Sequence, residues 1–294
     1  MTTNGTRPGG SSDLGGRTVA RIGYGAMALE RFEDDPDAGV ALLRRAVELG
    51  IDHVDTADFY GDSVSNGIIR RALADEPQVT VVTKVGAVRV DAPLPLTLAQ
   101  RPEQLREQVH ANLRTLGRDR LDVVNLRRPE VGPGITVPDD ELVDLDDQLA
   151  ALIALRAEGV IGGIGLSAVR SDTLRRALPA GIVCVQNAYS VLSRGYEDML
   201  ALCAAEGIAW VPYFPLGSGF PQLPKVTDHP VVQSIADETG ATPAQIGLAW
   251  LLAHAPNILL IPGTGSIPHL EENAAAAEVV LTDDQRARLD AIAG

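Results

Sequence analysis

The sequence predicts an α/β fold, a single-domain (β/α)8 TIM barrel, and three observations lead there. Short apolar runs rich in β-branched residues alternate with longer amphipathic segments, eight of each, along most of the 294 residues. That length is ordinary for one closed barrel. The first run opens into GYGAM, whereas a doubly wound dinucleotide-binding sheet, the alternative for the same alternation, usually carries GxGxxG at that point.

Residues 1–15 are rich in Gly, Ser and Thr and lack an apolar stretch. They read as a flexible N-terminal tail rather than a signal peptide, ahead of a barrel domain at 16–294. The expected strands are RIGY (21–24), HVDT (53–56), VTVVTK (79–84), DVVNL (122–126), GIGLS (163–167), VCVQ (183–186), AWVPY (209–213) and ILLIP (258–262). Each is mostly apolar and closed by a polar, Gly or Pro residue, as suits strands buried on both faces. The helix expected over 37–49 aligns Val40, Leu43 and Val47, and Gly50 stops it. Residues 102–117 repeat the pattern with Leu105, Val109, Leu113 and Leu116 between Pro102 and Gly117. Further helical segments cover 65–75, 145–158, 171–178, 196–206, 231–253 and 267–277. Long connections at 85–101, 128–144 and 217–230 leave the carboxyl ends of the third, fourth and seventh runs, the face on which barrels build active sites.

Composition narrows the function. A formal net charge of −14 and a pI near 4.7 oppose nucleic-acid backbones and anionic membranes as partners. No apolar run reaches the roughly 20 residues that span a bilayer. Cys184 and Cys203 have no CxxC spacing and suit a reduced, cytoplasmic protein. A monomer or a small homo-oligomer is expected, and the acidic surface speaks only for solubility. His53, His110, His229 and His254 have no second ligand at metal spacing, so no metal site is expected.

The most informative stretch is VDTADFY, Val54–Tyr60. Asp55 ends an apolar strand, where an unpaired carboxylate is expensive. Lys84, at the end of the next strand, is its candidate partner. Those two alone fit a structural ion pair as well as a catalytic one. Tyr60, five residues on from Asp55, tips the balance: an ammonium beside a phenol is expected to lower the phenol pKa from about 10 toward the range of proton donation.

The sequence resembles the aldo-keto reductases from about Arg21 to the C-terminal end, through RIGYGAM, GIDHVDTADFYG, VVTKVG, LDVVNLRRPE, GVIGGIGLS, VQNAYS, VPYFPLGSG and IPGTGSIPHLEEN. The resemblance implies a (β/α)8 barrel that binds NADPH, or NADH, and an Asp–Tyr–Lys–His catalytic tetrad matched by Asp55, Tyr60 and Lys84. Where the family usually reads LHRP this chain reads LRRP, so Arg127 takes the place of the histidine. It is similar in this to a bacterial, pyridoxal-reductase-like branch with NLR at that point. An arginine there is a fixed cation able to polarise a carbonyl and to receive a phenolate, carboxylate or phosphate. It is also a possible ion-pair partner of Asp55.

The resemblance further implies cofactor contacts. Gln186 and Ser167 match the residues that hold the nicotinamide carboxamide, while the asparagine usual after that serine is Ala168. Tyr213 or Phe214 would pack on the nicotinamide, and Leu216, Gly217 and Ser218 would follow the pyrophosphate. Gly263, Thr264 and Ser266 lead into a helix N-terminus, a natural anion site. His269, Glu272 and Asn273 complete the adenosine end, with Gly263 and His269 where many relatives carry a Lys and an Arg. Met27, Phe59 and Phe220 are expected to line the substrate pocket, since the few aromatics gather at or just after strand ends. The expected function is NADPH-dependent reduction of an aldehyde or ketone, on pyridoxal or another aromatic or anionic carbonyl compound, with Tyr60 as proton donor. Two alternatives remain open at this point: a nicotinamide-binding regulator with weak or no turnover, and a non-reductive elimination or epimerisation on a sugar or natural-product intermediate.

Overall fold

The first regular element is an antiparallel hairpin, β1 (Ser11–Leu14) and β2 (Arg17–Ala20), turned through Gly15 and Gly16 at φ +65° and +82°. The computed structural model describes residues 6–91, 96–132, 135, 142–217 and 224–292. The flexible tail expected over 1–15 is therefore corrected from Ser11 onward. The reason is Leu14, which is 1% exposed and packs with Val19, Val82, Val123, Cys184, Ala209 and Leu259 inside the sheet. One apolar residue beside a Gly-Gly turn is too small a signal to separate a hairpin from a polar tail.

Seven parallel strands follow in the order β3 (Tyr24–Gly25), β4 (His53–Asp55), β5 (Thr80–Val85), β8 (Leu121–Arg127), β9 (Ile161–Ser167), β10 (Ile182–Gln186) and β11 (Ala209–Trp210). Every sheet neighbour is also the next strand of the sheet along the chain, so the sheet curls in one direction. Between β5 and β8 the expected 85–101 connection contains a second hairpin, β6 (Ala87–Arg89) with β7 (Leu96–Leu98). The eighth expected run, 258–262, is not a regular strand. It touches the sheet at both edges through single parallel bridges, Trp210 with Ile258 and Ile22 with Leu260. Four backbone bonds support them: Trp210 N–H to Asn257, Leu259 N–H to Trp210, Leu260 N–H to Arg21 and Gly23 N–H to Leu260. Pro262 lacks a donor and limits the ladder there.

Helices α1 (Pro36–Glu48), α2 (Val64–Ala72), α3 (Pro102–Leu116), α4 (Leu145–Ala157), α5 (Ser171–Ala177) and α6 (Glu197–Ala205) fall between the strands as expected. The single helix expected over 231–253 is two, α7 (Pro230–Thr239) and α8 (Pro243–His254). Gly240 at φ +71° ends the first, and Thr242 with Gln245 forms a capping box that starts the second. α9 (Ile267–Ala275) is followed by α10 (Asp283–Asp290). The latter escaped the periodicity because five of its eight residues are charged. Among the described residues no helix is long and apolar enough to cross a membrane, and no cluster of His, Cys, Asp and Glu is set to hold a metal.

Replacing Leu14 by Ala should lower stability by about 2–5 kcal/mol in urea unfolding, the range for a buried leucine. A shift below about 0.5 kcal/mol, the usual size for a surface residue, would return this segment to the status of a tail.

Candidate active site

The register of the sheet decides which side chains meet. Asp55 pairs with Gly25 and Val82, Lys84 with Asn125, and Arg127 with Ser167, which in turn pairs with Gln186. Since alternate residues of a strand share a face, Asp55, Lys84, Arg127, Ser167 and Gln186 all turn to the inside of the curl at the carboxyl ends of their strands.

Asp55 and Lys84 are both nearly sealed, at 3% and 6% exposure. The Lys84 ammonium donates to Asp55 Oδ1 and to the Thr56 carbonyl at 3.0 Å. The second carboxylate oxygen accepts from Gln186 Nε2 at 2.6 Å. Burial pulls the Lys84 ammonium down, but Asp55 and the Tyr60 phenol outweigh it and hold the group above its ordinary value. Its charge is therefore permanent at neutral pH. The alternative pairing of Arg127 with Asp55 does not occur.

Tyr60 follows β4 in the turn Asp58–Ser63, where Gly61, Asp62 and Ser63 all take positive φ. An added Cβ at Gly61 would stand 2.8 Å from Glu30 Cβ, so the turn approaches too closely for another residue. Phe59 meets the Tyr60 ring edge-on at 5.2 Å, and the Lys84 ammonium lies 5.2 Å from its centroid. The expected fall in the phenol pKa is corrected. Burial raises it more than Lys84 and Arg127 lower it, and Asp55 adds to the rise. The phenol thus keeps its proton at neutral pH.

Arg127 stands within electrostatic reach of Tyr60 and Tyr213, and burial holds its pKa below the ordinary value. Its Nη1 is buried without a hydrogen-bond partner. Tyr213 pairs edge-on with Phe214 at 5.4 Å, and burial pushes the Tyr213 phenol up to about 12. Ala168 and Phe214 take positive φ, +56° and +55°. At residue 168 that conformation suits the asparagine usual in the family better than an alanine.

These groups open into a cavity of about 980 Å3. Its wall includes most of the expected residues: Met27, Phe59, Ser167, Leu216, Gly217, Gly263, Thr264, Ser266, His269 and Asn273. Ser218 and Phe220 lie outside the described residues. Gln186 is fully buried behind Asp55 with its Oε1 unpartnered, and Glu272 is not on the wall. Sequence reasoning missed Arg31 and Phe32 from the 3-10 helix Ala26–Phe32, together with Leu96, Val131 and Ile135. The GYGAM run pointed to the loop but not to how far it reaches.

The cavity fits an extended nucleotide cofactor. At one end the N–H groups of Gly263, Thr264 and Gly265 make no hydrogen bond among the described residues, immediately before α9. An added Cβ at Gly263 would stand 2.8 Å from the Gly25 carbonyl, so the turn lies directly against β3. Tyr24 Oη fixes it by donating to the Thr264 carbonyl at 2.7 Å. At the other end Ser167 stands on the wall, and Gln186 lies behind Asp55 with its Oε1 sealed and unpartnered.

The chain belongs to the aldo/keto reductase family, whose model matches residues 21–293. It is 44% identical over 286 residues to pyridoxine 4-dehydrogenase of Escherichia coli K12, covering 95% of this chain and 96% of that protein. It is 30% identical to the probable aldo-keto reductase 1 of Glycine max, covering 91% and 84%. An aldo/keto reductase from Klebsiella pneumoniae, solved with NADP and acetate, superposes with a TM-score of 0.80 at 26% identity, covering 95% of this chain and 94% of that one.

His53 lies two residues before Asp55 on the same inner face, against Gly23, with neither ring nitrogen hydrogen-bonded. Burial depresses its pKa to about 4, against weaker opposing effects of Asp52 and Asp55. The unfolded chain takes up a proton near pH 6.5 that the native protein refuses until about pH 4. Stability should therefore fall by about 3 kcal/mol as pH drops through that window and level off below it. Urea unfolding of wild type and His53→Gln at pH 7.5 and 4.5 checks this. An equal loss in both proteins would assign it to other groups.

Proposed function

We propose that this chain reduces an aldehyde or ketone to the alcohol with NADPH, Tyr60 giving the proton. The observation that carries the reading is the contact of Tyr60, Lys84 and Asp55 at the floor of an apolar-walled cavity. We read the curled sheet as a (β/α)8 barrel in one domain that takes in the β1–β2 hairpin from Ser11, with the 258–262 segment as its eighth stave. The surroundings of the strand ends are then a mouth, as in other barrels of this kind.

Ser167 on the cavity wall would hold a nicotinamide carboxamide, with Gln186 behind Asp55 as its expected partner; Tyr213 or Phe214 would pack on the ring, and the Gly263–Ser266 turn with His269 and Asn273 would take the adenosine phosphate end. A bound reduced nicotinamide supplies a hydride to the carbonyl carbon. The carbonyl oxygen, gaining the electron pair of the broken π bond, takes the Tyr60 proton. Lys84 stabilises the phenolate left behind, and Asp55 with the Thr56 carbonyl keeps the ammonium aimed at it. Arg127 steadies the negative charge that grows on the oxygen. Solvent returns a proton to Tyr60 when the product leaves.

Burial keeps the proton on Tyr60 until an oxyanion forms, and it also makes the phenol a weaker acid than the sequence leads one to expect, so the assignment rests on the contact with Lys84 and not on the shift. The name of the Escherichia coli relative and the aromatic walls favour a flat, pyridoxal-like substrate, in either direction of the reaction.

Tyr60→Phe should lower kcat with pyridoxal by about 10²- to 10⁴-fold. NADPH affinity, read by quenching of protein fluorescence, should change less than twofold. If the variant keeps most of its rate, the proton comes from elsewhere.

A further inference from the structure

Arg127 differs from every other cation deep in the site. Lys84 spends its charge on Asp55 and the Thr56 carbonyl. Arg128, one residue on, is sealed by Glu130, Gln148 and the Val143 carbonyl. Arg127 has no carboxylate and no hydrogen-bond acceptor among the described residues, although Nη1 is buried and the side chain lines the cavity. Arg127 is half-buried, and a sealed guanidinium nitrogen with no acceptor is costly; an anion that arrives with a ligand resolves it.

The place of that anion is restricted. Arg127 and Tyr60 both line the cavity, so one ligand can meet the phenol with its carbonyl oxygen and the guanidinium with a neighbouring group. The fork can then span the carbonyl oxygen and a second oxygen beside it. Lys84 is committed to Asp55 and the Thr56 carbonyl, so the fork of Arg127 is the cationic group left to meet such a pair of oxygens. The surrounding wall of Phe59, Leu96, Val131, Ile135 and Tyr213 suits a flat ring.

We infer that Arg127 is a specificity residue that selects aromatic aldehydes carrying an ionised hydroxyl ortho to the carbonyl, holding the phenolate and the carbonyl oxygen on one guanidinium fork. This rests on the reading of Tyr60 as donor to a carbonyl in this cavity. The phenolate is a spectator: it gains and loses no atom while the neighbouring carbon is reduced. An ortho phenolate feeds electron density into the carbonyl and slows hydride attack. The arginine withdraws that density, so a substrate that is sluggish in water becomes the preferred one here.

The test compares salicylaldehyde, 4-hydroxybenzaldehyde and benzaldehyde with NADPH, using wild type, Arg127→Met and Arg127→Lys. Wild type should prefer salicylaldehyde over benzaldehyde at least tenfold in kcat/KM, increasingly as pH rises through the ionisation of the aldehyde's own phenol. The 4-hydroxy isomer should show no such gain. Arg127→Met should bring the ratio to about one, with Arg127→Lys between. A second readout is the phenolate absorbance of salicylaldehyde: wild-type protein should move its ionisation to lower pH, and Arg127→Met should not. A ratio unchanged by Arg127→Met, with benzaldehyde still reduced, overturns the inference alone. If no aldehyde is reduced but the absorbance shift is present, the reductase reading falls and the anion site stands.

Discussion

The ion pair of Asp55 and Lys84 is the constraint around which the site is arranged. Its members come from adjacent strands, and Gln186, donating to the second carboxylate oxygen, ties in β10 from the far side of the curl. Both oxygens of Asp55 are thereby engaged, which is the condition under which a buried carboxylate is tolerable. Such a pair adds little net stability, and removing either partner alone typically costs 3–5 kcal/mol. What it supplies is a positive charge that does not move. Tyr60 sits against that charge because the turn after β4 has three consecutive residues at positive φ, a local strain held in place by its neighbours.

The interior beneath the pair explains how so many polar groups fit. β9 contributes glycine at 163 and 165 toward the inside. An added Cβ at Gly165 would collide with the Asn125 side chain and stand 2.6 Å from Cys184 Sγ. Bare backbone on one strand therefore makes room for Asn125 on β8 and Cys184 on β10, which meet at 3.2 Å. Gly23 does the same for His53. The inner face is a set of exchanges, each larger polar side chain facing a neighbour that has none.

Much of this was legible in the sequence, and the limits have physical causes. Apolar runs bounded by polar residues gave seven strands, and the carboxylate, phenol and lysine stood out because such groups are expensive at the ends of buried strands. The 258–262 run carries the same signal yet forms only single bridges, because apolarity reports burial and not ladder hydrogen bonds. The β1–β2 hairpin rests on one leucine, and the break between α7 and α8 on one glycine inside an otherwise continuous pattern. The direction of the Tyr60 shift was misjudged for a different reason. Charges nearby in sequence can be counted, whereas desolvation depends on how completely the fold closes over the ring. Gln186 was matched to a cofactor contact, and its hydrogen bond to Asp55 across the curl could not be seen without the sheet register.

The exchange of histidine for Arg127 changes the charge of the site more than its shape. Asp55 cancels Lys84, so the catalytic end carries one net positive charge contributed by Arg127, inside a protein whose total is −14. That total repels anions at long range only weakly, because salt screens it over about 8 Å. At the catalytic end, away from Arg31 on the cavity wall, the low dielectric strengthens the field of Arg127. A neutral imidazole at this place would orient a carbonyl and leave the substrate's own charge unanswered. A guanidinium would do both at once, and the sealed, unpaired Nη1 is the atom that a negatively charged ligand would satisfy. The position that departs from the family pattern is thus the one that ties this fold to a particular kind of carbonyl compound.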